Sequence, residues 1–158
     1  MTTTDNAQTW RDLLGDLTPE QVAELEYCER EQIPPGLSTE QHRLNGARAM
    51  IRHNLAQAFC AGIEPPADAV DEPSPWIEWD DNTYQRVYGC WERRAGGVLV
   101  QILGFQYSDS RPIERNIFYE DTDKTDDMTA DRARIMAALL SEAAERLDTL
   151  NGDTPPFM

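Results

Sequence analysis

Apolar residues recur at two different periods along this chain, and the change of period separates helical segments from strands. In residues 76–119, aromatic and β-branched side chains alternate with polar ones, a pattern typical of half-buried strands. The pattern predicts four strands of an antiparallel meander, at 76–79, 84–93, 98–107 and 113–119. The third strand is apolar at consecutive positions, which indicates a central strand that is buried on both faces.

Helical spacing predicts three helices before the sheet and one after it, at about 8–15, 18–30, 39–61 and 130–150. The expected N-caps are Thr18, Ser38 and Thr129, because a hydroxyl at that position accepts a hydrogen bond from the first turn. The third helix has an apolar stripe that consists of Leu44, Ala47, Ile51, Leu55, Ala58 and Phe59. The stripe of the last helix consists of Ala133, Met136, Leu140, Ala143, Ala144 and Leu147.

These elements predict a single α+β domain over residues 1–158, with helices from both ends of the chain packed against the sheet. A chain of 158 residues is long enough for one domain with a substantial core. Residues 63–75 contain four prolines and are expected to form an extended acidic linker within that domain. The ends, 1–7 and 152–158, are expected to be mobile.

The charge of the chain bounds its partners. With 29 acidic and 14 basic residues the net charge is −15, so phosphate backbones are repelled and direct nucleic-acid binding is not expected. Apolar runs are too short to predict a membrane span. Since the first residues have neither a basic nor an apolar stretch, no signal peptide is predicted and a cytoplasmic location is expected. Cys28, Cys60 and Cys90 have no metal-binding spacing and are interpreted as small buried thiols.

Candidate catalytic and metal-binding patterns are weak. His42 and His53 lie on one predicted helix, but eleven residues of helix separate them by roughly 16 Å, too far to share a metal ion. The segment that begins at Asp121 resembles the start of a calcium loop, but Asp126 stands where glycine is needed and Arg132 where a bidentate glutamate is needed. No phosphate-binding, dinucleotide-binding or nucleophile motif is present. No catalytic, cofactor-binding or metal-binding residue is therefore predicted.

Aromatic and arginine residues are concentrated in the predicted sheet. The candidate interaction surface consists of Trp76, Trp79, Tyr84, Tyr88, Trp91, Arg86 and Arg115. Simple alternation along the second strand places Tyr88 and Cys90 on one face and Trp91 on the other. Two interpretations stay open: the aromatic side chains pack in the core beneath a helix, or they form a partner interface, where tryptophan, tyrosine and arginine are enriched.

Two stretches carry a resemblance to other proteins. The first is Trp10-Arg11-Asp12-Leu13 with the helix start from Leu17 to Glu26. The second is Gly104 to Asp109 with Ile113-Glu114-Arg115 and the helix end from Glu142 to Asp148. Together they resemble small accessory proteins of actinobacteria and their bacteriophages. The resemblance implies an actinobacterial, phage or prophage origin and no catalytic residue to transfer.

The leading hypothesis is a non-enzymatic protein-interaction or accessory module that forms a homodimer through its sheet. It follows from residues 98–105 of the third strand, which are apolar on both faces. A second hypothesis is an acidic DNA mimic that binds a nucleic-acid-binding host protein, since carboxylates cluster at 64–81 and 120–131. A third is an enzyme of unrecognised type, which would need a pocket around a histidine or a cysteine.

Overall fold

The computed structural model describes residues 6–32, 39–80, 83–121 and 128–152. Contacts within the chain form two compact units, Met1–Ala61 and Gly62–Met158. The expectation of mobile ends lies for the most part outside the described residues. The single-domain assignment stays a prediction.

The first unit is helical. A short 3-10 helix at Trp10–Asp16 precedes α1 (Pro19–Glu31) and α2 (Glu40–Cys60). Thr18 caps α1 as predicted: its Oγ1 accepts from the Gln21 backbone N–H at 3.3 Å, and the Gln21 side chain accepts from the Thr18 N–H at 3.0 Å. The expected cap of α2, Ser38, lies outside the described residues. The cap is Thr39, whose Oγ1 accepts from the backbone N–H of His42 at 3.2 Å.

The core of the first unit uses only the N-terminal part of the predicted α2 stripe. Leu44, Ala47 and Ile51 are buried against Trp10, Leu13 and Leu25. Beyond Ile51 the prediction is wrong, because Leu55, Ala58 and Phe59 are exposed while Ala56 and Cys60 are buried. In the last part of α2, the buried side of the helix therefore differs from the predicted stripe. The small side chains of Ala56 and Cys60 are buried there in place of the larger Leu55 and Phe59.

The second unit is a four-stranded antiparallel meander with one helix. Its elements are β1 (Ile77–Asp80), β2 (Thr83–Ala95), β3 (Val98–Tyr107), β4 (Glu114–Asp121) and α3 (Ala130–Gly152). The strand order is β1-β2-β3-β4, so β3 is central as predicted. Gly96 and Gly97 both have positive φ, 53° and 73°, and form the two-residue turn between β2 and β3. The predicted α+β class, with its meander and its N- and C-terminal helices, is confirmed.

One face of the sheet is covered by α3. Opposite residues in an antiparallel ladder share a face, and Val98, Val100 and Ile102 of β3 are fully buried beneath Leu139 and Ala143 of the helix. We call this side the α3 face. The predicted helix stripe is partly wrong, because Ala133 and Ala144 are exposed. The buried or half-buried side of α3 is Arg132, Ile135, Met136, Leu139, Leu140, Ala143, Leu147 and Leu150.

A β-bulge in β2 overturns the simple alternation. Gly89 pairs with Leu103, but the next paired residue is Trp91, opposite Ile102, so Cys90 is the additional residue. Tyr88 pairs with Gly104, which lies two positions from Ile102 on the same face. Tyr88 and Trp91 therefore both belong to the α3 face, whereas alternation had placed them on opposite faces.

Candidate functional site

The face of the sheet opposite α3 keeps large apolar side chains exposed. Ile77 is 53% exposed, Trp79 56% and Phe118 39%. The pairing registers place Ile77 beside Gln85 and Phe118 beside Gln101, on the side away from α3. The face also contains the half-buried Val87, Leu103 and Phe105 and the buried Leu99 and Tyr107. We call this side of the sheet the opposite face.

Aromatic contacts connect the side chains of the opposite face. Phe105 and Phe118, on neighbouring strands, have ring centroids 6.1 Å apart. The rings of Trp79 and Tyr107 meet edge to face, with their centroids 6.2 Å apart. The Arg111 guanidinium lies 4.6 Å from the centroid of the same Tyr107 ring. These contacts order the rings. Tyr107 is buried among them, while Trp79 and Phe118 stay exposed, so the exposed apolar surface is preformed.

The predicted interaction surface is only partly a surface. Trp79 is exposed, and Tyr84 and Trp91 are half-buried. Trp76, Arg86 and Tyr88 are buried, and the Arg115 side chain is only 8% exposed. These four residues are a correction to the prediction, because a buried side chain cannot meet a partner from solvent. The structure therefore divides the seven residues between the core and the surface.

Arg86 has an internal role that explains its burial. Its guanidinium lies 4.5 Å from the centre of the Trp76 ring. Its Nε donates to the Gln106 side chain at 2.7 Å, and Nη2 donates to the backbone oxygen of Ile63 at 3.0 Å. Arg86 thus attaches the beginning of the 63–75 segment to the sheet.

A buried polar cluster lies on the α3 face, formed by Asp68, Arg115, Tyr88 and Cys90. The Nε of Arg115 donates to Asp68 at 2.8 Å, and the two side chains are only 8% and 18% exposed. Tyr88 lies across Gly104, where any side chain would overlap its ring. The Tyr88 hydroxyl is buried beside Cys90 and makes no hydrogen bond of normal geometry among the described residues.

The electrostatics of this cluster favour a structural role. Burial opposes the ionisation of Asp68, but Arg115 outweighs it and holds the pKa of Asp68 below its ordinary value. Burial, together with the charge of Asp68, raises the pKa of the Cys90 thiol to about 11. The pKa of Tyr88 is raised chiefly by burial. Cys90 is therefore a protonated thiol at neutral pH and a poor nucleophile.

Sequence reasoning missed this cluster because Asp68 lies in an acidic segment that has no basic residue nearby in the chain. Its partner, Arg115, is 47 residues away. Gly104 was the one local signal, since a glycine inside an apolar strand often marks the close approach of another group.

The 63–75 segment is attached to the sheet rather than standing free of it. Besides the Asp68–Arg115 pair, the backbone N–H of Val70 donates to the Gly89 oxygen at 2.9 Å. Ser74 exchanges two bonds with Val87: its N–H donates to the Val87 oxygen at 2.7 Å, and its Oγ accepts from the Val87 N–H at 2.9 Å. The segment therefore occupies the edge of β2 beyond the short β1.

A half-open cleft of about 320 Å³ lies where β3 leads into the loop before β4. Its lining is Ile63, Gln106, Tyr107, Ser108, Ser110, Arg111 and Ile113. The volume is at the lower end for small-molecule sites. Asp109 accepts a hydrogen bond from Arg111 Nε at 2.9 Å and neutralises the charge of the guanidinium. The Gln106 side chain accepts from Arg86 and donates to the backbone oxygen of Glu64. The cleft thus offers neither a free cation nor a reactive group.

The other sequence candidates stay isolated. His42 and His53 are both exposed. Of the calcium-loop candidate, residues 122–127 lie outside the described part, and Asp121 forms a partly buried ion pair with Arg132. Across the described ranges, no three metal-binding side chains come together. Over the same ranges, no helix has the length and apolar character to cross a bilayer.

Comparison with protein-family models, with curated proteins and with solved structures finds no match to this chain.

Proposed function

We propose that this chain is a non-enzymatic protein-interaction module that self-associates through the opposite face of its sheet. One observation carries the proposal: Ile77, Trp79 and Phe118 stay exposed on that face beside half-buried apolar residues. The largest apolar patch on an ordinary monomer covers about 300–600 Å² and is often a functional surface. The second copy is the occupant because the same preformed patch is available on every copy.

The size of the face predicts a weak dimer. Four strands, about 4.8 Å apart and on average about eight residues long, have a face of at most roughly 500 Å² per copy, because Leu99 and Tyr107 on it are already buried. Two copies would bury about 1,000 Å², which is near the lower limit for a specific interface. Each copy has a net charge of −15, so repulsion opposes association at low ionic strength. We therefore expect a dimer that strengthens as salt is added.

Light scattering tests the proposal with a matched pair of variants. Phe118 and Tyr119 are adjacent aromatic residues of β4, but Phe118 is on the opposite face, whereas Tyr119 pairs with Val100 on the α3 face. Phe118→Ser should convert the dimer into a monomer at about 50 µM in high salt, and raise the dissociation constant by about tenfold or more. Tyr119→Ser should leave the dissociation constant unchanged, although Tyr119 is the more exposed of the two residues at 64%.

A wild-type chain that remains monomeric at high salt would contradict self-association. Equal weakening of the dimer by Phe118→Ser and Tyr119→Ser would contradict the assignment of the face. Both variants remove one aromatic ring from β4, and they differ in the face from which the ring is removed.

The two other hypotheses have less support. A DNA mimic needs carboxylates that are free to imitate phosphates, but Asp68 and Asp121, one from each acidic cluster, form internal ion pairs. An enzyme needs a reactive group in a pocket; Cys90 is protonated, and the described cleft lacks such a group. The actinobacterial or phage origin and the cytoplasmic location stay predictions.

A further inference from the structure

The outer edge of β4 is long and regular. All eight residues from Glu114 to Asp121 pair with β3 in an unbroken register, from Phe105 opposite Glu114 to Val98 opposite Asp121. The sheet ends at β4, and among the described residues no strand pairs with its outer side. An edge of this kind presents backbone N–H and C=O groups to any extended chain.

The other edge of the same sheet is protected. β1 is only four residues long, and its pairing with β2 is irregular between Glu78 and Asp80. Beyond β1, the edge of β2 bonds to Val70 and Ser74 of the 63–75 segment, which also contains four prolines. Short strands, irregular pairing and proline are among the features that prevent edge pairing in natural sheets, as are charged side chains, which β4 has at its two ends. β4 has no short strand, irregular pairing or proline, so its charged ends are what selects against unsuitable strands.

Charge decides what fits the β4 edge. Its centre, from Ile117 to Tyr119, is apolar, and the exposed Glu114 and Glu120 flank it. Arg115 forms an ion pair with Asp68, and Asp121 forms one with Arg132, so these two residues of β4 contribute little net charge to the edge. Antiparallel pairing with a second β4 would bring acidic end against acidic end, which is destabilising. The complementary occupant is a strand with an apolar centre and basic ends.

We propose that the β4 edge binds an extended segment of a partner protein, with β-branched or aromatic residues at its centre and lysine or arginine at both ends. The partner segment adds a fifth strand, so backbone hydrogen bonds hold it and the glutamates select its ends. The backbone groups of this edge lie at the side of the sheet, while the Glu114 and Glu120 side chains project on the side of the opposite face. Strand addition at the edge does not depend on self-association.

The probe is a synthetic peptide of about ten residues, with alternating valine and threonine in the centre and two lysines at each end. Binding is followed by fluorescence anisotropy and by hydrogen exchange in the wild-type chain, diluted until it is monomeric. Because the dimer is absent at that dilution, failure of this proposal is distinct from failure of self-association. We expect the peptide to slow exchange at the amides of residues 114–121.

Two matched double variants separate the edge from the net charge. Glu114→Lys with Glu120→Lys should weaken binding by about tenfold, since two attractive cross-strand pairs become repulsive. Glu145→Lys with Asp148→Lys changes the net charge equally on an exposed side of α3 and should have less than a twofold effect. A peptide with glutamate ends should bind at least about tenfold more weakly.

Protection outside residues 114–121, equal weakening by both double variants, or equal binding of the two peptides would each overturn the proposal. The first result would exclude the edge, and the other two would exclude recognition of charge by Glu114 and Glu120.

Discussion

The two faces of the sheet use similar residues for different purposes. On the α3 face, Val98, Val100 and Ile102 are fully buried, and the charged groups beside them are paired. On the opposite face, Ile77, Trp79 and Phe118 keep between 39% and 56% of their surface exposed. The exposed apolar residues thus belong to the outer strands β1 and β4 and stay available for a partner, whereas the fully buried residues of the central strand β3 stabilise the fold.

The largest expected contrast is between two residues of β3 that lie on different faces. Ile102→Ala should lower the free energy of unfolding by about 3–4 kcal/mol, because the side chain is completely buried and leaves a cavity. Phe105→Ala removes a larger side chain from the opposite face but should cost less than Ile102→Ala, since Phe105 is already partly exposed to water. Urea unfolding of both variants measures the difference.

A cost for Phe105→Ala that equals or exceeds that for Ile102→Ala would show that the opposite face is part of the stabilising core. The comparison between the two faces would then fail.

The next effect concerns the buried ion pair of the α3 face. Asp68→Asn leaves Arg115 buried without its counter-charge and should cost about 2 kcal/mol of unfolding free energy, below the full value for a buried pair because Asp68 is 18% exposed. The Cys90 thiol, which lies beside Asp68, should also become more accessible to a thiol reagent. Cys28→Ser and Cys60→Ala can remove the competing thiols. Asp109→Asn, in an exposed ion pair, is the control and should change neither quantity.

The same pair makes stability depend on pH with a defined sign. Because the folded-state pKa of Asp68 is below its ordinary value, its contribution is complete above the unfolded pKa of about 3.9 and is lost as the pH falls through the lower folded value. The wild-type chain should therefore lose more stability than Asp68→Asn when the pH falls from about 5 to about 2. Parallel pH profiles for the two chains would contradict the assignment.

The smallest of these effects tests the close packing of Tyr88 on Gly104. Gly104→Ala should destabilise the fold by about 1–2 kcal/mol, because the new methyl group overlaps a ring that is only 2% exposed. Gly62→Ala, where no atom lies within 4 Å of the added group, should change stability by less than about 0.5 kcal/mol. The melting temperatures of the two variants show whether the loss of stability comes from overlap with the Tyr88 ring or from replacing any glycine by alanine.

Local signals predicted the elements well. Thr18 and Thr129 both cap helices, with their hydroxyls accepting from Gln21 and Arg132. The turn at Gly96 and Gly97 and the central position of β3 also follow from short-range pattern. These features depend on residues within a few positions of one another, so the sequence contains all the information that they need.

The candidate surface was predicted less well, because burial depends on distant partners. Tyr88 and Arg115 are of residue types that are enriched at interfaces. In the fold, Tyr88 packs on Gly104 and Arg115 pairs with Asp68, so both side chains are buried. The bulge at Cys90 exchanges the faces of the following residues, and a period-two pattern cannot show where such an insertion occurs.

The sequence by itself determined the α+β class, the meander and the absence of a recognisable catalytic motif, since periodicity, turn chemistry and charge are local properties. Only the tertiary structure decided which face of β3 is covered, which arginines are buried and which edge of the sheet is protected. Each of these depends on a contact between residues far apart in the chain, as between Asp68 and Arg115 or between Ser74 and Val87. No local pattern encodes such a contact, because its free energy exists only after the chain has folded.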